Sequence, residues 1–206
     1  MQKKIVVHMY LKNGKAVTGF DGKELLEDGD VMSIAQHYSN NGADELLIFD
    51  LSDDDADHEQ SLNLIRQISR VIDIPMSGGG HIKNLEDVKK LLYAGCQQVF
   101  LNYAKAANIE LTEEVSKRFG KEKIAICTDS FAQLQANKAR VNEYTSRVIL
   151  LCDEVDVRTT ARLVEVPVLP VSTRADRHGL LKLLMLDNIC GVCGDTFSDL
   201  NEDLMA

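Results

Sequence analysis

No apolar run in the chain approaches the ~18 residues that a membrane-crossing helix needs, so nothing in its 206 residues reads as a helical span. The opening MQKKIVVHMYLKNG has two lysines ahead of a short apolar run. That run is too short for a signal peptide and no small-residue cleavage site follows it; it reads as a first strand. Positive charge is scarce as well. Lys and Arg number 23 against 32 Asp and Glu, a formal net charge of −9, with a pI near 5.0. Such a surface repels nucleic-acid phosphates over most of its area, while a local basic pocket for a small phosphate stays compatible with it. There is no disulfide framework. The five cysteines (Cys96, Cys127, Cys152, Cys190, Cys193) are odd in number and sit mostly in apolar runs, as thiols of a reducing cytosol do. The expectation is a cytoplasmic protein with no cofactor and no membrane or nucleic-acid partner.

What is present is a rhythm. Strand-like apolar runs occur at Lys4–Met9, Glu45–Asp50, Ile72–Ser77, Gln98–Asn102, Lys123–Thr128, Arg147–Cys152, Val166–Val171 and Ile189–Cys193. They are continuous rather than alternating, the pattern of strands buried on both faces of a parallel sheet. Between them the periodicity predicts helices at Val31–Asn41, Glu59–Val71, Leu85–Ala94, Thr112–Phe119, Phe131–Val141, Val155–Val164 and Arg177–Leu186, with a partial helix from Asp199. A βα unit repeated eight times predicts an α/β fold, a compact (β/α)8 TIM barrel near the ~200-residue lower limit of that architecture; an open doubly wound sheet is the runner-up. No linker or low-complexity segment divides the chain, so residues 1–206 read as one domain. The second half is compressed, with short loops around the last three strands.

Several residues stand where chemistry could occur. Met76-Ser77-Gly78-Gly79-Gly80-His81 runs from a strand towards a helix. Glycines there let the backbone approach an anion, or simply make a tight turn. Asn102 ends the next strand and could donate to the same oxygens. Asp50, Asp129 and Asp153 follow strands two, five and six, where a barrel places general acids and bases, although each could instead cap a helix. The acidic run Ser52–Asp57 reads as a solvated loop and helix start. Cys190-Gly191-Val192-Cys193 is a CxxC motif running through a strand rather than opening a helix. Alternation would put Cys190 and Val192 on one side and Cys193 on the other. With no second CxxC and no histidine cluster, a metal site is poorly supported. His8 reads as a satisfied interior group, and His81 as facing an anion or water.

The order and identity of several segments resemble a known family. They are Lys4–Val7 with Leu11–Val17, Tyr38–Ser39 with Gly42–Leu46 and Phe49–Asp50, Ile74–Pro75 with Gly78–Gly80, and Gly95 with Leu101–Asn102. Over about residues 1–130 the chain resembles the cyclase subunit of imidazole glycerol phosphate synthase, of the histidine-biosynthesis barrels; the pathway's isomerase is a more distant likeness. The resemblance implies two acid–base aspartates, and the matching positions here are Tyr10 and Asp129. A phenol with pKa about 10 is a poor general base near neutrality. It also implies a phosphate site in each half of the barrel. Gly78, Gly79, Gly80 and Asn102 match the first, whereas Asp153–Asp156 and Ser172–Arg177 stand where the second expects glycine-rich turns. A shortened, degenerate copy of this kind resembles the N-terminal region of some bifunctional phosphoribosyl-AMP cyclohydrolase/phosphoribosyl-ATP pyrophosphatase proteins, so the resemblance implies a cut from a longer polypeptide, with fused or associated histidine-pathway domains as partners.

Two functional expectations follow. The first is a cyclase-like barrel that has lost the family reaction and keeps a phosphate or phosphoribosyl half-site, serving in binding, assembly or regulation. The second is a working lyase, an imidazole glycerol phosphate synthase-type cyclase or a related phosphoribosyl isomerase. In it Asp129 would be the acid/base, Lys12 an electrostatic helper, and Gly78–Gly80 with Asn102 the phosphate grip.

Overall fold

The computed structural model describes residues 2–153 and 155–195. Eight parallel strands close into a ring: β1 (Lys4–Lys12), β4 (Glu45–Asp50), β5 (Met76–Gly79), β6 (Gln98–Asn102), β7 (Ile124–Thr128), β8 (Arg147–Leu151), β9 (Val168–Ser172) and β10 (Gly191–Gly194). Pairing of Lys4 with Gly191 and Val6 with Cys193 joins the last strand to the first. The open-sheet alternative is thereby excluded, and the expected TIM barrel is the fold. The helix from Asp199 lies outside the described residues.

Alternation along each strand makes two apolar layers. On β1, Val7, Met9 and Leu11 face outwards to the helices. Val6 and Tyr10 face inwards with Leu47, Phe49, Phe100 and Ile149. Both layers are apolar, which is why the strands read as unbroken hydrophobic runs.

The helices are α1 (Val31–Asn40), α2 (Asp55–Ile68), α3 (Leu85–Tyr93), α4 (Ala106–Phe119), α5 (Phe131–Ala136), α6 (Lys138–Tyr144), α7 (Val157–Ala161) and α8 (Arg177–Leu183). Short polar residues start most of them: Asp30, Asp54, Ser130, Asp156 and Asp176 each accept a backbone N–H of the first turn. Asn84 and Asp87 form a reciprocal capping box on α3. The second half is the shorter one, with 5 residues in α7 and 7 in α8 against 14 in α2.

Several expectations need correction, among them α2 and α4, which begin at Asp55 and Ala106 rather than Glu59 and Thr112. The third strand is not Ile72–Ser77 but Met76–Gly79: Ile72 and Ile74 pack into the helix layer instead, and Pro75 has no N–H for the ladder. The helix expected at Phe131–Val141 is two helices, because Asn137 turns its side-chain amide onto the Gln133 carbonyl (2.9 Å). A two-stranded arm also leaves the barrel after β1: β2 (Lys15–Thr18) and β3 (Glu24–Leu25), reached through the Asn13-Gly14 turn. Finally, Cys190 and Val192 do not share a side. Cys190 precedes β10 and packs with the barrel interior, as Cys193 does, while Val192 faces the helices. All five cysteines are free thiols.

Candidate functional site

The three glycines have three different neighbours. A Cβ on Gly78 would meet Cys96 Sγ at 2.8 Å, so this residue faces the helix layer. A Cβ on Gly79 would meet the Phe100 ring at 2.3 Å inside the barrel. Gly80 turns the chain at φ 104°, and its Cβ would meet the Asp50 carbonyl at 2.1 Å. Gly79 and Gly80 line a cavity of about 300 Å³ at the C-terminal mouth, together with Lys12, Asn102 and Lys105. Asn102 Oδ1 accepts the Ala104 N–H (2.9 Å), which leaves its NH₂ group as the donor for the cavity.

Asp50, on the same rim, is fully engaged. Its Oδ1 accepts the N–H (3.0 Å) and the hydroxyl of Ser52, and its Oδ2 lies 2.5 Å from His58 Nδ1. The His58 ring stacks on His81 with centroids 4.6 Å apart. His81 in turn contacts the Ser52 carbonyl (3.2 Å) and Asp55 (2.8 Å). Bonds from His81 and Lys83 hold the Asp55 carboxyl down at about 2. The acidic run thus sits as expected, in a loop and at the start of α2, but its members also brace the glycine turn. Asp53 pairs with Lys12 (3.1 Å).

Tyr10 lines a neighbouring cavity of about 180 Å³ with His8, Thr18 and Asp195. Its ring packs against Phe20 (4.8 Å between centroids) and Phe49 (5.3 Å), and its hydroxyl is buried without a hydrogen-bond partner among the described residues. Burial above all, and then the negative field of Asp195, push the phenol well above its ordinary value. Beside it His8 is an interior group, as expected, with Nδ1 3.3 Å from Cys193 Sγ and Nε2 2.7 Å from Asp195. Asp129 is exposed and lines a separate cleft of about 400 Å³ with Ser130, Asp156 and Thr159. Lys12, Gly79, Gly80 and Asn102 are therefore brought together, and Asp129 is not among them.

A histidine biosynthesis protein family profile matches residues 4–187. The chain belongs to that family. Among its relatives, the imidazole glycerol phosphate synthase subunit HisF of Flavobacterium psychrophilum is 33% identical over 130 residues, covering 63% of this chain and 52% of the relative. The HisF subunit of Haemophilus influenzae is 32% identical over 162 residues (78% and 60%), and that of Helicobacter hepaticus 34% over 132 residues (63% and 51%). The chain spans about half the length of the curated relatives it matches.

In this histidine-biosynthesis barrel the end of β9 is engaged by a carboxylate of the chain itself. Asp153 accepts the Ser172 hydroxyl, the Thr173 hydroxyl (2.8 Å) and the Thr173 N–H (3.2 Å). Burial opposes ionisation of Asp153, but these bonds outweigh it and hold its carboxyl below the usual range. The donors at the end of β9 therefore already serve a carboxylate of the chain itself.

Sequence reasoning missed Phe20, Lys105 and His58. Lys105, three residues past Asn102, follows the strand end where barrels place functional groups. His58 sits one turn inside α2, and only the tertiary fold brings it to Asp50. Phe20 rides on the β2–β3 arm, which the strand rhythm does not reveal.

Proposed function

We propose that this chain is a histidine-biosynthesis barrel that keeps one phosphate-binding half-site and has lost the cyclase reaction of its relatives. It would bind a phosphate or phosphoribosyl ligand and serve binding, assembly or regulation beside histidine-pathway enzymes. One observation carries the reading. Tyr10, at the position where the resemblance implies an aspartate, is a buried phenol wedged among aromatic rings; it lines one cavity and Asp129 another. A proton-moving pair needs both members within reach of one substrate; these two face different spaces. The engaged donors around Asp153 support the loss of the second phosphate site. Gly79, Gly80, Asn102, Lys12 and Lys105 support retention of the first, with backbone and cationic donors around one small cavity. Gly78 contributes by letting β5 lie close to Cys96 and α3.

The test is a titration with inorganic phosphate followed by backbone amide chemical shifts. The expected result is movement of Gly79, Gly80 and Asn102 with a common saturation curve, weakened in Asn102→Asp. Shifts confined to other regions, or none at all, overturn the half-site.

A further inference from the structure

The cavity at the mouth is lined by two unlike kinds of group. Gly79, Gly80, Asn102, Lys12 and Lys105 offer backbone and polar donors, with Asp50 and Asp53 beside them, while Phe20, Phe49, Phe100, Cys127 and Leu151 are apolar. The phenylalanines pack in a row: Phe20 to Phe49 is 5.2 Å between centroids and nearly perpendicular, and Phe49 to Phe100 is 5.0 Å; Phe49 and Phe100 are buried, so Phe20 is the ring a ligand would chiefly meet. Phe20 is 48% exposed, which is unusual for a large apolar side chain with two ring partners. Its packed side rests on Tyr10 and Phe49, and it also lines the cavity.

A sugar would find little to bind on this apolar lining. The polar groups nearest to it are already committed: Asp50 to Ser52 and His58, Ser52 to Asp50 and Ser61, Asp53 to Lys12. Hydroxyls placed against the Phe20 ring would lose water and gain no partner from it, at a cost. A flat apolar ring would lose nothing and gain edge-to-face contacts. At about 300 Å³ the cavity is at the small end of ligand sites, room for one phosphate and one ring.

We propose that this cavity takes an aryl phosphomonoester, its phosphate on the Gly79–Gly80 turn and Asn102 and its ring on Phe20, which sets the preference for a ring over a sugar. The proposal rests on the phosphate half-site and adds the identity of the ligand's other end. It involves binding alone and no bond change.

Calorimetric titrations at fixed ionic strength with inorganic phosphate, ribose 5-phosphate and phenyl phosphate test it, on the unmodified chain, Phe20→Ala and Asn102→Asp. Phenyl phosphate is expected to bind roughly tenfold more tightly than either of the others. Phe20→Ala should remove most of that advantage and leave inorganic phosphate unchanged, and Asn102→Asp should weaken all three. If inorganic phosphate binds but ribose 5-phosphate matches or exceeds phenyl phosphate, the ring preference is overturned and the half-site stands. An advantage of phenyl phosphate that survives Phe20→Ala overturns it too, because the ring then lies elsewhere. If none of the three binds, both the half-site and this proposal fall.

Discussion

Arg147 on β8 grips Glu45 on β4 across the N-terminal mouth of the barrel, with Nη1 3.1 Å from Oε2 and Nη2 on Oε1. The same guanidinium donates to Gln98 on β6 (2.6 Å) and Ser77 on β5 (2.9 Å), and Lys4 on β1 reaches Glu45 at 3.2 Å. The buried Glu45–Arg147 pair thus ties five strands. Arg147→Ala would leave buried Glu45 with only Lys4 as its cation, and the expected loss is about 2–4 kcal/mol in urea unfolding. Burial alone would raise the Glu45 pKa, but the charge and hydrogen bonds of Arg147 outweigh it and the net direction is down. A depressed carboxylate stabilises the fold above its unfolded pKa of about 4.3 and loses that contribution as pH falls through the folded value. The urea midpoint should therefore fall below about pH 4, and less steeply in Arg147→Ala.

Gly80→Ala puts a Cβ 2.1 Å from the Asp50 carbonyl at φ 104°. The expected cost is at least ~1–3 kcal/mol, together with loss of phosphate binding, because the turn must move off Asp50. Gly42→Ala is the control: its φ is 88° but no atom lies within 4 Å of the added Cβ. It should be strained, milder, and without effect on phosphate. Equal losses at both positions in thermal unfolding would show that the contact with Asp50 is immaterial.

The Tyr10 hydroxyl is buried with no partner among the described residues. Removing it in Tyr10→Phe should be neutral or stabilise the chain by up to about 1 kcal/mol, since no bond is lost and an unsatisfied polar group disappears. A loss of more than about 1 kcal/mol in urea unfolding would reveal a bond to that hydroxyl.

The thiols should be inert in the native state. Burial pushes Cys96 and Cys127 up to about 12 and Cys152 to about 11, and Cys193 lies well above its ordinary value, chiefly from burial. Because the thiolate is the reactive form, a colorimetric thiol reagent at pH 8 should report almost no reaction over minutes, and all five thiols after denaturation. Rapid native labelling of Cys190 and Cys193 as a pair would revive a redox role for the CxxC motif.

The barrel was legible because its signal repeats: the apolar runs are buried on both faces and most helices open on a capping residue such as Asp30, Asp54 or Asn84. The site was legible only where it is local. Gly79, Gly80 and Asn102 sit at strand ends, so the strand rhythm alone puts them on one rim. The Asp50–His58 contact and the stacking of His58 on His81 arise between elements, and no spacing in the sequence encodes them. The arm bearing Phe20 left a trace in Asn13-Gly14, a hairpin signal that an eight-unit βα rhythm overlooks. The CxxC misled because alternation was extended to Cys190, one residue before the strand begins.

The central claim is that the acid–base pair is gone, and ammonia-dependent cyclase turnover tests it most directly. No turnover above background is expected from the unmodified chain. None should appear in Tyr10→Asp either, because a carboxylate set among Phe20 and Phe49 would be buried among apolar rings and would line a different cavity from Asp129. Turnover by the unmodified chain that disappears in Asp129→Asn would contradict the account.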